Sequence, residues 1–369
     1  MNVNGRAWRS IWVEQNGWSV GIIDQTALPH DFVTRSLLRD VDAAEAISLM
    51  RVRGAPLIGA TAAYGVALAL REDPGDACLE RSCRLLAATR PTAVNLGWAL
   101  RRMRRALLPL PAGERMAAAY VEAAAICDED VTINRAIGEH GLRLLRELWQ
   151  ARKPGQDRLR ILTHCNAGWL ATVDWGTALA PIYRAHDEGI PLHVWVDETR
   201  PRNQGAALTA WELQAHGVPH DLVVDNAGGH LMQQGLVDVC LTGTDRTARN
   251  GDVCNKIGTY LKALAARDTG VPFYVALPGP SIDWAMADGV TAMPIEERDP
   301  REVTEVQGRL ANGGVAAVRI APPGVTARNF AFDVTPARLV SGLVTERGVC
   351  AASEAGLASL YPEQKGEAE

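Results

Sequence analysis

From residue 156 onward the chain alternates two hydrophobic patterns, and few folds accommodate that. Short apolar runs at 158–164, 192–196, 221–224, 238–242 and 273–277 are separated by helical stretches at 169–188, 204–216, 227–235 and 256–267. Strands separated by helices pair in parallel, with helices on both faces of the sheet. A final strand near Phe332–Val334 and a helix after Pro336 are expected to close this α/β unit.

In an open parallel sheet the C-terminal ends of all strands face one edge, where ligands bind. Polar residues gather at those ends. The run Arg158–His164 breaks at Cys165-Asn166-Ala167-Gly168, and a long helical pattern follows from Trp169. That helix would set its N-terminus beside the thiol. The run 192–196 leads to Asp197-Glu198-Thr199-Arg200-Pro201, with Gln204 opening the next helix. The run 238–242 leads to Gly243-Thr244-Asp245-Arg246, and Asn255-Lys256 opens a further helix. Cys165, Asp245 and Lys256 can therefore converge although remote in sequence. Each has a plainer alternative: a packed thiol, a capping carboxylate, a solvated lysine. His164 should point to the opposite face from Cys165, because side chains alternate along a strand.

The first 155 residues differ. Ile11–Val13 and Val20–Ile23 flank Asn16-Gly17, a hairpin signal. Asp42 can cap a helix carrying Ala46, Ile47 and Met50. Arg53-Gly54-Ala55-Pro56 precedes an apolar helix from Leu57 to Leu70, and proline suits a first helical turn. The N–H groups of Gly54 and Ala55 with the Arg53 guanidinium would bind an anion; the alternative is a surface arginine before a buried helix. Arg90-Pro91 repeats the theme before a helix with Leu96 and Leu100. Residues 112–150 form one long helical stretch, mildly broken at Gly138 and Gly141, and Lys153-Pro154-Gly155 ends it. The expected division is a small N-terminal domain with a long linking helix (1–155) and a catalytic domain (156–369).

Composition excludes several classes. A formal net charge of −5 leaves no basic footprint for nucleic acid. No apolar run approaches the roughly 18 residues of a membrane span, and the N-terminus lacks a signal peptide's apolar core. Seven cysteines without a CxxC pair imply reduced thiols, with neither a disulfide framework nor a zinc site. A cytoplasmic protein is expected.

The motifs RGAPLIGATAAYGVAL, RPTAVNLGWAL, NRAIGEHG, THCNAGWLAT, DETRPRNQGAALTAWEL, TGTDRTARNGDVCNKIGTY and PIEERDPREV closely resemble the methylthioribose-1-phosphate isomerase family. Its superfamily includes the regulatory subunits of a translation-initiation exchange factor. The resemblance runs from about residue 50 to 346. It implies a Rossmann-like domain behind a small, mainly helical N-terminal domain with a short β-hairpin. It also implies an aldose–ketose isomerase of methionine salvage, usually a homodimer, without metal or organic cofactor. The implied substrate is 5-methylthioribose 1-phosphate, and the site could also take 5-deoxyribose 1-phosphate. Carried over residue by residue, substrate contacts fall on Arg53, Gly54, Ala55, Arg90, Gln204, Asn255 and Lys256. The catalytic pair falls on Cys165 and Asp245, with Cys165 a thiolate favoured by the adjacent helix N-terminus and the cations. The pattern departs at Pro278-Gly279-Pro280, where the family carries a Ser-Thr pair. The alternatives are a ribose 1,5-bisphosphate isomerase, which needs a second basic pocket, and a non-catalytic regulatory subunit.

Overall fold

The expected parallel strands lie in one seven-stranded sheet, ordered 348–350, 342–345, 273–276, 239–242, 159–163, 192–197, 220–223. The structure, a computed structural model, describes residues 1–3 and 5–366. Every neighbouring pair is parallel except the edge pair 342–345 with 348–350. The chain enters at 159–163, moves outward through 192–197 and 220–223, then returns to 239–242 on the other side of its starting strand. This reversal opens a crevice at the strands' C-terminal ends, between 159–163 and 239–242. Alternation buries both faces. Ile161, Val194, Val196, Val239 and Leu241 join one core cluster, and Leu162, Cys240, Val275 and Leu343 another.

The N-terminal part holds the expected hairpin, Ile11–Val13 with Val20–Ile23, extended by a third strand, Thr34–Leu37. Helices α1 (Asp40–Ser48), α2 (Ala55–Glu72), α3 (Asp76–Ala87), α4 (Val94–Leu107) and α5 (Ala112–Gln150) follow. Asp42 caps α1 from its third position, accepting the N–H groups of Leu38 and Arg39 at 2.9 Å. α2 is buried on every side from Leu57 to Leu70, so it forms the centre of this core. α5 runs unbroken for 39 residues, about 58 Å at 1.5 Å per residue. Its glycines are contact points, not breaks. A Cβ on Gly141 would lie 2.3 Å from Pro181 Cγ of α6 (Leu179–Asp187). After α6 come α7 (Ala210–His216), α8 (Ala227–Gln233) and α9 (Thr259–Thr269). Among the described residues no helix is long and apolar enough to cross a membrane.

Three local expectations are corrected. The helix from Trp169 is a single 3₁₀ turn, Trp169–Ala171, and helix resumes only at Leu179. The N–H groups of Trp169 and Leu170 are held by the distant Glu212 carboxylate, and Trp175 and Gly176 both have positive φ. Asn255 and Lys256 end a strand, Val253–Lys256, and do not open a helix. That strand pairs antiparallel with Phe332–Thr335 in a second sheet, ordered 282–283, 246–248, 253–256, 332–335. Phe332–Thr335 therefore does not close the parallel sheet. After Pro336 there is one 3₁₀ turn, since the chain must enter strand 342–345 within a few residues.

Candidate active site

Cys165 follows strand 159–163 and Asp245 follows strand 239–242, so the two flank the crevice where strand order reverses. Cys165 is buried and has a φ of 67°, which is uncommon for a residue with a Cβ and recurs at functional sites. Two bonds hold it there. Its N–H donates to Thr199 Oγ1 at 2.8 Å, and its carbonyl accepts from Thr209 Oγ1 at 2.7 Å. The N–H of Asp245 donates to the carbonyl of Cys254 at 2.9 Å, tying the loop to the second sheet. Both ring nitrogens of His164 are engaged elsewhere, Nδ1 with Asp197 Oδ2 at 2.9 Å and Nε2 with the Ile257 carbonyl at 2.8 Å. His164 and Cys165 form no dyad, as strand alternation implied.

The N-terminus of α2 meets the thiol from across the crevice. Arg53 is 8% exposed, and its Nη1 and Nη2 donate to Asn166 Oδ1 at 2.5 Å and to the Asn166 carbonyl at 2.7 Å. Gly54 has a φ of 87° and lies so close to the next loop that a Cβ would sit 2.3 Å from the Ala171 carbonyl oxygen. Positive φ and contact with rigid backbone both demand glycine here. Gly54→Ala is therefore expected to destabilise the protein by roughly 2–4 kcal/mol. A urea midpoint indistinguishable from wild type would refute that.

Lys256 is 5% exposed, with its Nζ 4.6 Å from the centre of the Phe332 ring. Among the described residues neither Lys256 nor Arg53 makes an ion pair. The other cations around the recess are matched. Arg90 donates through Nε and Nη2 to Glu296 Oε2 at 3.2 and 2.9 Å, Arg298 pairs with Glu296 and Glu302, and Arg246 pairs with Asp283. Gln204 is buried, and its Oε1 has no partner among the described residues. One recess is lined by Arg53, Gly54, Ala55, Arg90, Cys165, Gln204, Asp245 and Lys256. Asn255 lines an adjoining recess with Arg53, Cys165 and Asp245, and its Nδ2 donates to Thr259 Oγ1 at 3.0 Å. All nine residues singled out in the sequence thus lie around one crevice.

Burial dominates the electrostatics. It pushes the Cys165 thiol up, against the pull of Arg53 and Lys256. It pushes the Asp245 carboxyl up, against Lys256, Arg53 and Arg90, and pushes the Lys256 ammonium down, against Cys165 and Asp245. In the free protein burial thus works against the thiolate expected from the sequence. The helix expected directly after Cys165 is replaced by a single 3₁₀ turn, and desolvation of the charged sulfur outweighs the two cations. A carboxyl that holds its proton more tightly than usual is suited to donating it, and the thiol can accept a proton only after giving up its own.

Sequence reasoning missed the apolar wall of Met50, Ile58, Met293 and Phe332, and missed Arg298. Met293 precedes the motif PIEERDPREV and Arg298 lies within it, so that motif was the available signal. The Pro278-Gly279-Pro280 departure packs beside α4. Ser281 donates to Asn95 Oδ1 at 3.0 Å, and Pro278 reaches the recess that Asn255 lines. Among the described residues one group, His164, Asp197 and Asp225, brings possible metal-ligand atoms together. It already holds its cation. Lys262 Nζ lies 3.0 Å from Asp197 Oδ2, and both Asp225 oxygens accept backbone N–H groups, from Thr199 and Arg200.

Comparison with known proteins gives consistent results. The model of the initiation factor 2 subunit family matches residues 51–352. A methylthioribose-1-phosphate isomerase of Rhodospirillum rubrum is 64% identical over 368 residues, covering 99% of this chain and 94% of that one. The crystal structure of 5-methylthioribose 1-phosphate isomerase from Pyrococcus horikoshii superposes with a TM-score of 0.82 at 39% identity, covering 97% of both chains. A crystal structure titled translation initiation factor eIF-2B, subunit delta, from A. fulgidus gives 0.78 at 38% identity, covering 96% of this chain and all of that one.

Proposed function

The chain belongs to the methylthioribose-1-phosphate isomerases within the initiation factor 2 subunit family, and from that premise we propose how it converts 5-methylthioribose 1-phosphate to 5-methylthioribulose 1-phosphate in methionine salvage. One observation carries the reading: two buried cations without ion-pair partners among the described residues, Arg53 and Lys256, share a recess with Cys165 and Asp245. Burying an unpaired cation is costly, so such a site is built for an anion. The phosphate is gripped by Arg53, the Gly54 and Ala55 N–H groups at the start of α2, and Lys256. Arg90 joins after sharing its fork with Glu296. The unpartnered Gln204 oxygen accepts a sugar hydroxyl, and Asn255 steadies the floor. Met50, Ile58, Met293 and Phe332 suit an apolar 5-substituent.

The anomeric oxygen of this substrate is esterified, so the ring cannot open unaided. An acid must protonate the ring oxygen as the C1–O bond breaks, and a hydrogen must move from C2 to C1. Asp245 supplies and recovers the oxygen proton, and burial, which pushes its carboxyl up, favours that role. Cys165, as the minor thiolate form left when its own proton has passed to water, receives the C2 proton and returns it to C1. The rival route is a direct hydride shift from C2 to C1, with Cys165 only shaping the site.

The competing substrate, ribose 1,5-bisphosphate, needs a second cationic pocket. Arg90, Arg246 and Arg298 are already matched by carboxylates, which favours a single phosphate. The likeness to the A. fulgidus protein supports a second reading, a regulatory subunit without catalysis. A regulatory subunit has no use for Cys165 and Asp245 beside an anion site. NMR of the purified protein with 5-methylthio-, 5-deoxy- and 5-phospho-ribose 1-phosphate decides. Turnover of the first, undiminished in EDTA, is expected. No turnover would favour the regulatory reading, and activity lost in EDTA and restored by a divalent ion would refute metal independence. We further infer a homodimer in the cytoplasm, and a division into domains near residue 155.

A further inference from the structure

Glu212, on α7, takes part in no step above, yet it is 1% exposed and accepts four hydrogen bonds. Its donors are Asn166 Nδ2 at 2.9 Å, the N–H groups of Trp169 and Leu170 at 2.9 and 3.2 Å, and the Tyr183 hydroxyl at 2.7 Å. Room for the carboxyl is made by Gly168, where a Cβ would lie 1.9 Å from Glu212 Oε2. Burial pushes the Glu212 carboxyl up, and the four donors converging on it pull the other way and hold its two oxygens in place.

The contact with Asn166 has a direction. Arg53 can only donate, so Asn166 must turn its oxygens toward the guanidinium, and it does so with Oδ1 and its carbonyl. The amide nitrogen then faces Glu212, whose two oxygens also accept from two backbone N–H groups and the Tyr183 hydroxyl and so present acceptors to it. Glu212 therefore fixes which way the Asn166 amide points. With the amide reversed, N–H groups would face N–H groups at Arg53. Asn166 Nδ2 also reaches Thr209 Oγ1 at 3.2 Å, and that hydroxyl donates to the Cys165 carbonyl. A π-helical turn, Gly205–Thr209, leads into α7 and delivers Gln204, Thr209 and Glu212 to this one region. Such turns are rare and recur at functional sites.

We propose that Glu212 is a positioning residue: through Asn166 it aims the Arg53 guanidinium at the substrate phosphate. This rests on Arg53 being the phosphate grip. A neutral amide at 212 can offer N–H to Asn166 and let its amide turn over, so the loss appears as anion affinity. Glu212→Gln raises KM for 5-methylthioribose 1-phosphate about tenfold, and raises the competitive inhibition constant of inorganic phosphate equally, while kcat changes less than about threefold.

Further variants make the test specific. Asn166→Ala reproduces the loss, and the double variant is no worse than Asn166→Ala alone, since both act on one path. Tyr183→Phe removes a donor from the same carboxyl without touching that path, so it leaves both constants within about twofold at a comparable melting temperature. Arg53→Ala reports on the underlying reading. If Arg53→Ala weakens phosphate and Glu212→Gln does not, the relay is overturned and the grip stands. Equal losses in Glu212→Gln and Tyr183→Phe, or additive losses in the double variant, would reduce Glu212 to packing and overturn the proposal. Phosphate inhibition unchanged in Arg53→Ala overturns the grip and the relay together. If Glu212→Gln does not fold, Gly168→Ala, which displaces the carboxylate with its charge intact, must give the same KM-selective loss.

Discussion

Cys165→Ser is expected to lower kcat by at least about 100-fold, and Asp245→Asn by a similar factor, the range typical of acid–base groups. A serine hydroxyl is far less acidic than a thiol and cannot serve as the C2 base. An asparagine amide cannot protonate the ring oxygen. Running the reaction in deuterated water adds a second measurement, because deuterium at C1 of the ketose establishes proton transfer. A Cys165→Ser enzyme with near-normal kcat would return the thiol to packing and leave the hydride shift. The buried thiol also fixes a pH dependence. Since burial holds the Cys165 pKa above its ordinary value, the thiolate is scarce at neutral pH in the free enzyme. Alkylation at this position should accelerate about tenfold per pH unit up to that pKa, and inorganic phosphate should slow it. A rate independent of pH between about 7 and 9 would contradict a raised thiol pKa.

Arg53→Lys is expected to raise KM by about 10- to 100-fold with a smaller effect on kcat, despite conserving charge. Two guanidinium nitrogens are anchored on Asn166, which leaves the remaining edge facing the recess in a fixed plane. A lysine ammonium is a single point on a flexible stem. It cannot hold Asn166 at two atoms and the phosphate at once. Arg90 does not compensate, because Glu296 already occupies its fork. Steady-state kinetics with the variant checks this, and an unchanged KM would remove Arg53 from phosphate binding.

The sequence alone determined the parallel sheet and the side of it on which chemistry collects. Apolar runs separated by helices leave a local periodic signature, and the residues that end each run mark the C-terminal edge. Cys165 and Asp245 were legible for that reason, as was the α2 start at Arg53-Gly54-Ala55. The nine site residues were assigned by resemblance, and strand order accounts for the meeting of Cys165 and Asp245 among them.

Only the tertiary structure decided what those residues can do. Lys256 lies in a strand because its partner, Phe332–Thr335, is brought beside it by folding, and no local pattern records a partner so far along the chain. The helix predicted after Cys165 is absent because Glu212 captures its first N–H groups from 42 and 43 residues away. Losing that helix removes a stabilising dipole, and burial then decides the state of the thiol. Periodicity is a property of neighbours in sequence. Proton affinity, ion pairing and the aim of a guanidinium are set by neighbours in space.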